Sequence, residues 1–172
     1  MQLEHIIRAA ATIADDDQIV IVGSQSVLGQ FPDAPADLLA SMEADVYPLH
    51  HPERADLIDG SIGEGSPFHE TFGYYAQGVG PETAVLPSGW LERAVLICNP
   101  ATRGATGIAL EVHDLLAAKA IAGREKDREF IAAVFHHRMA QPEVVAARLL
   151  LAALGPELRA AAEGLLRAVA VR

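Results

Sequence analysis

The stretch that most constrains this chain is Ile19-Val20-Ile21-Val22-Gly23-Ser24, in which four β-branched apolar residues run straight into a small-residue turn. An apolar run this short, bounded by glycine, predicts a buried strand over 18–22. Residues 24–30 then predict a short helix, closed by the proline-containing "QFPDAPAD". Gly23 and Ser24 therefore sit between a strand and a helix, a place where backbone amides can cradle a phosphate or simply make a tight turn. The stretch alone leaves both open.

Leu3, Ile6, Ile7, Ala10 and Ile13 recur at helical spacing and predict a helix over 3–14, ended by Asp15–Asp17. "ADVYPL" predicts a second strand ended by Pro48, and 53–62 a short helix. Residues 63–90 are rich in Gly and Pro and carry no assigned element. "RAVLIC" and "GIALEV" predict two more strands around the turn "NPATRGATG". From residue 112 the pattern is helical, with breaks at Gly123, Pro142 and "GPE" near 156. Strands first and helices last predict an α/β (α+β) fold, a mixed sheet with flanking helices. The alanine-rich tail predicts two helices joined by "LGPEL", with Pro156 at a first helical position, as a C-terminal helical hairpin. That hairpin either packs on the core or offers a surface for a second copy or a protein partner.

Composition narrows the function classes. An apolar share of 51% with 21% charged residues is that of a folded globular chain. A net charge of −10 argues against a general nucleic-acid coat, because phosphate affinity needs clustered Lys and Arg. No apolar run reaches membrane-spanning length and "MQLEHIIRAAATIADDD" is not a signal peptide, so the expected partners include no membrane and the expected compartment is the cytoplasm. Cys98 is the only cysteine, and its place in "AVLIC" predicts a small core residue rather than a nucleophile.

Four groupings carry candidate chemistry. Glu43 and Asp45 are two apart on a strand and share a face. Paired carboxylates repel unless a cation joins them, so they suit either a magnesium ion with substrate phosphates or a solvated edge strand. Lys119 lies on the apolar stripe of Val112, Leu115 and Ala122, while Asp127 heads a stripe continuing through Ile131 and Val134. Lys119, Arg124 and Asp127 then converge at the Gly123 bend, as an ion-pair clamp or as phosphate-contacting groups. His50, His51 and His69 with Glu70 could build a small metal site, although their spacing matches no zinc pattern. In "GEGSPFHETFGYY", Tyr74 and Tyr75 are either base-stacking groups of a lid or loop anchors.

The order of "GSQSVLGQFPDAP", "SMEADVYP", "GEGSPFHETFGYY" and "KAIAGREKD" resembles the nucleotidyltransferase superfamily of polymerase beta type. Within it, the chain is similar to a bacterial group of nucleotidyltransferase-like proteins of toxin-antitoxin and abortive-infection systems. The resemblance covers residues 1–138, and it implies a nucleotidyltransferase-like domain there with 139–172 as a C-terminal helical extension. It implies that Gly23 and Ser24 grip a nucleoside triphosphate, that Glu43 and Asp45 hold magnesium, and that Lys119 and Arg124 contact phosphate. Asp127 would order that region or assist the acceptor, an RNA or protein hydroxyl. The sequence departs from the superfamily in having Glu43 where the usual first carboxylate is Asp. It also places no third carboxylate on "RAVLI", so that Glu111 or Asp114 fills that role only under an assumption about register. The alternative is a catalytically silent interaction module of antitoxin type.

Overall fold

The computed structural model describes residues 2–170. Ile19, Val20 and Ile21 are completely excluded from solvent and form β1 (Gln18–Ile21), the central strand of a five-stranded mixed sheet. β1 pairs antiparallel with β2 (Glu43–Pro48) on one side. On its other side it pairs parallel with β5 (Thr106–Ala109). β3 (Tyr75–Gly78) lies parallel to β2 at one edge, and β4 (Val95–Ile97) lies antiparallel to β5 at the other. Helix α1 (Gln2–Ala14) covers one face, burying Leu3, Ile6, Ile7, Ala10 and Ala14, and α2 (Ala55–Ile62) adds Ile58 and Ile62 to the same core. Gly107 of β5 is glycine because Ile7 and Ile21 fill the place of its side chain.

A short helix, a short strand and a 3-10 turn at Pro81–Thr83 occupy the Gly- and Pro-rich segment for which the pattern predicts no element. Ser66 caps α3 (Pro67–Phe72) by accepting from the His69 N–H at 3.2 Å, and Gly73, at φ 75°, ends it in the left-handed region. β3 follows directly. The predicted helix at 24–30 is a tighter 3-10 turn, Ser24–Gly29. Cys98 is exposed, contrary to the core placement its neighbours suggest. It follows the edge strand β4, where Leu96 is itself 65% exposed, so the apolar run there does not signal full burial.

The chain divides into two compact units, the sheet unit of residues 2–83 with 94–110, and a helical unit of 84–93 with 111–170. The helical unit contains α4 (Trp90–Arg93), α5 (Val112–Ala122), α6 (Glu125–His136), α7 (Pro142–Leu150) and α8 (Pro156–Ala170). α5 packs against α6, α7 and α8, while α7 and α8 form the C-terminal hairpin. Segment 84–93 belongs to this unit for polar reasons. The Ser88 N–H donates to the Leu151 carbonyl at 3.0 Å, and Arg93 forks onto the fully buried Asp114 at 2.7 and 3.0 Å. Arg148 Nε lies 3.4 Å from the same carboxylate. Among the described residues no helix is long and apolar enough to cross a membrane.

Removing one partner of a buried ion pair leaves an uncompensated charge, so Arg93→Ala is expected to lower stability by about 3 kcal/mol or more, read from denaturant unfolding. A loss under about 1 kcal/mol would mean that Arg148 alone neutralises Asp114.

Candidate functional site

Where β1 ends, the chain is held tightly against β2. The Val22 N–H donates to the Asp45 carbonyl at 3.0 Å, and the Ser26 N–H to the Gly23 carbonyl at 3.0 Å. The buried Ser26 hydroxyl donates to the Ile21 carbonyl at 2.6 Å, which fixes the start of the 3-10 turn. Gly23 has an extended backbone, φ −85° and ψ −169°, which any residue adopts. Space favours glycine instead: a Cβ at residue 23 would collide with Oδ2 of Asp45, so a side chain there would have to displace that carboxylate. The Asp45 carboxylate thus lies over the Gly23 turn, and the half-buried Ser24 follows immediately.

Glu43 and Asp45 alternate along β2 with the fully buried Ala44 and Val46, so both carboxylates occupy the outer face of the strand. In the parallel pairing, Tyr75 of β3 stands opposite Glu43 and Gln77 opposite Asp45. The Tyr75 hydroxyl donates to Glu43 Oε2 at 3.3 Å. Burial pushes the Tyr75 hydroxyl above its ordinary pKa, and the charges of Glu43, Glu64 and Asp45 push in the same direction. Three carboxylates therefore act on one hydroxyl. Glu64, in the turn after α2, is a member of this group that the strand pattern does not reveal.

The two residues considered for a third carboxylate are engaged elsewhere. Glu111 lies beyond the end of β5 and caps α5, accepting from the His113 N–H at 3.1 Å with Oε1 2.6 Å from His113 Nδ1. Asp114 is inside α5 and is held by Arg93 and Arg148. Neither is on a strand, which removes the register assumption that would bring them to the carboxylate pair.

Lys119, Arg124 and Asp127 meet at the bend between α5 and α6, where Gly123 takes φ 67°. Asp127 is fully buried. Lys119 Nζ donates to its Oδ1 at 3.0 Å and Arg124 Nε to its Oδ2 at 2.7 Å. The ammonium also lies 4.6 Å from the centre of the Phe130 ring, a cation–π contact. Burial works to raise the Asp127 carboxyl, but the Arg124 and Lys119 charges and hydrogen bonds outweigh it and hold the group below its ordinary value. Of the two arrangements open to these residues, this is the geometry of the clamp.

The histidines do not gather as one ligand set. His69 Nδ1 accepts from the Gly65 N–H at 3.0 Å, and its ring packs on Tyr75. Among the described residues, Asp16, Asp17 and His50 are the one group of three whose ligand atoms lie within 4.8 Å of one another. Asp16 already accepts four hydrogen bonds, from the N–H groups of Gln18, His50 and His51 and from the His50 ring. Those bonds fill its lone pairs and make it the anchor that ties the loop after β2 to the loop after α1. An open groove of about 1030 Å³ runs beside this anchor, lined by Arg8, His50 and Arg103 among others, and includes neither Gly23 nor the carboxylate pair. Tyr74 is an anchor too, with its hydroxyl 2.8 Å from His5 Nδ1 and its ring among Phe68 and Phe72.

Comparison of the chain with models of protein families, with curated proteins and with solved structures gives no match.

Three outcomes follow from this geometry. Gly23→Ala should cost about 1 to 3 kcal/mol through overpacking against Asp45, and adding Asp45→Ala should recover most of the loss. Additive losses in the double variant would show that the two residues do not touch. For the clamp, Lys119→Ala should cost about 3 to 5 kcal/mol, with a coupling to Asp127→Ala above about 1.5 kcal/mol in a double-mutant cycle. Because the Asp127 carboxyl is depressed, its contribution is complete above the ordinary aspartate value of 3.8 and is lost as pH falls through the lower folded value. Wild-type stability should therefore decline below about pH 4, and less steeply in Asp127→Asn, as read by unfolding midpoints across acid pH.

Proposed function

We propose that the sheet unit is a magnesium-dependent nucleotidyltransferase-like domain. It would transfer a nucleoside monophosphate from a triphosphate to a hydroxyl of RNA or protein, releasing pyrophosphate. The observation that carries this reading is the Asp45 carboxylate lying over the Gly23-Ser24 turn, in space that a side chain at residue 23 would fill. Phosphates received at that turn would lie beside a carboxylate that shares a strand face with Glu43.

The donor set fits magnesium, which binds through one or two carboxylates together with substrate phosphates. Bound there, magnesium would neutralise charge on the phosphates and orient them. The chain's own contribution is fixed by its backbone. The Gly23 turn would offer its amides and the Ser24 side chain to the phosphates, and the β2–β3 pairing holds Glu43 and Asp45 in register. The phosphate role that the resemblance implies for Lys119 and Arg124 requires opening the clamp on Asp127, whereas a scaffold role requires nothing further.

A second reading, the silent interaction module, is favoured by one specific feature. The residues of β3 opposite Glu43 and Asp45 are Tyr75 and Gln77, not acids. The exposed Leu150, Leu151 and Leu158 around the hairpin turn would then serve a protein partner.

Thermal unfolding with each of the four ribonucleoside triphosphates and magnesium tests the first reading. At least one should stabilise the chain by mass action, by about 2.7 kcal/mol at a hundredfold excess over its Kd. Asp45→Asn should reduce that stabilisation while leaving the unliganded protein as stable or more so, since it relieves repulsion with Glu43. The absence of a shift with any triphosphate overturns the nucleotide reading, and a shift without pyrophosphate release on any RNA or protein acceptor supports the module.

A further inference from the structure

We infer that Tyr75 is a positioning residue for the Glu43 carboxylate, an inference that rests on the metal-binding reading of Glu43 and Asp45. A glutamate carries one more rotatable bond than an aspartate, so a glutamate ligand has to be held if its oxygen is to stay at a fixed place. The structure supplies the holder from the neighbouring strand. Tyr75 stands opposite Glu43 in the β2–β3 register, and its hydroxyl donates to Oε2, leaving Oε1 as the ligand atom. The 3.3 Å separation is long for a hydroxyl–carboxylate hydrogen bond.

The ring that carries this hydroxyl is itself fixed. It packs on His69 at a centroid distance of 4.6 Å. His69 is in turn tied by the Gly65 N–H to its Nδ1 and by its own N–H to the Ser66 cap. The Tyr75 N–H donates to the Met42 carbonyl at 3.1 Å, which sets where the strand begins. The segment "GEGSPFHETFGYY" thus ends in a device that aims a carboxylate. Partners of this kind, once removed, weaken metal binding about 10- to 100-fold.

The test uses the full chain and Mn²⁺ alone, with free Mn²⁺ followed by electron paramagnetic resonance, so that no acceptor or turnover is needed. Tyr75→Phe keeps the ring and its packing but removes the donor, and it should weaken Mn²⁺ about tenfold while leaving the unfolding midpoint near wild type. Glu43→Asp withdraws the carboxylate from an intact Tyr75 and should weaken Mn²⁺ as well, and Tyr75→Phe added to it should change nothing more. Unchanged affinity in Tyr75→Phe, or in Glu43→Asp should the first variant not fold, overturns the positioning role and leaves the metal reading intact. Failure of the wild-type chain to bind Mn²⁺, or undiminished binding in Glu43→Gln, overturns the metal reading and the inference together.

Discussion

The close approach of Asp45 to residue 23 is the constraint on which the sheet unit depends. β1 is hydrogen-bonded on both sides and has no exposed face, so its end can deviate only where the chain leaves the sheet. At that point the Val22 N–H is still bonded to β2, while the next residue must clear a carboxylate. Glycine meets this demand through volume, not through backbone freedom, since its dihedral angles are ordinary. A single steric requirement thereby links the most apolar strand of the chain to the most polar face of its neighbour. The same contact gives the turn its anionic wall, so that any phosphate drawn to the amides there would need a cation between itself and Asp45.

In the helical unit, two buried aspartates play a corresponding part. Asp114 meets two arginines from outside its own helix, and Asp127 meets a lysine across a bend and an arginine three residues before it. Such pairs add little net stability compared with apolar residues of equal volume, but a mispaired arrangement leaves a bare charge in the interior. An arrangement of α5, α6 and segment 84–93 that broke these pairs would leave a buried carboxylate without its cation. Small side chains pack in many registers. Charges that must be matched do not.

How far the sequence reveals this structure varies by element, for physical reasons. Helix α1 is legible by its apolar period, and the strands β1, β2 and β5 as short apolar runs bounded by turn residues. β3 is not, since "YAQG" is four residues long, lies at an edge and buries only Ala76 fully. The edge position of β4 misleads in the other direction, making Cys98 look internal when it is exposed. Glu43 and Asp45 are legible as a pair because a strand's period of two is fixed. Tyr75 and Glu64 come to them only through the missed strand and the turn after α2. The Asp16–His50 anchor joins residues 34 apart, a pairing that no local pattern encodes.

Binding and turnover make different demands on this site. Holding a metal with a triphosphate requires oxygen ligands on a rigid face, which one strand and its neighbouring turn can provide. Transfer also requires that a proton leave the acceptor hydroxyl as the new bond to phosphorus forms, and a base must stand where that hydroxyl arrives. In the sheet unit the position opposite Asp45 carries Gln77, an amide that cannot take a proton, and the position opposite Glu43 carries a tyrosine whose hydroxyl already donates its hydrogen bond to Glu43. Glu64 is exposed and acts electrostatically on the same tyrosine. On the proposed transferase reading, Glu64, set between Gly63 and Gly65 in the turn after α2, would have to supply that base, whereas the module reading asks only for the carboxylate pair.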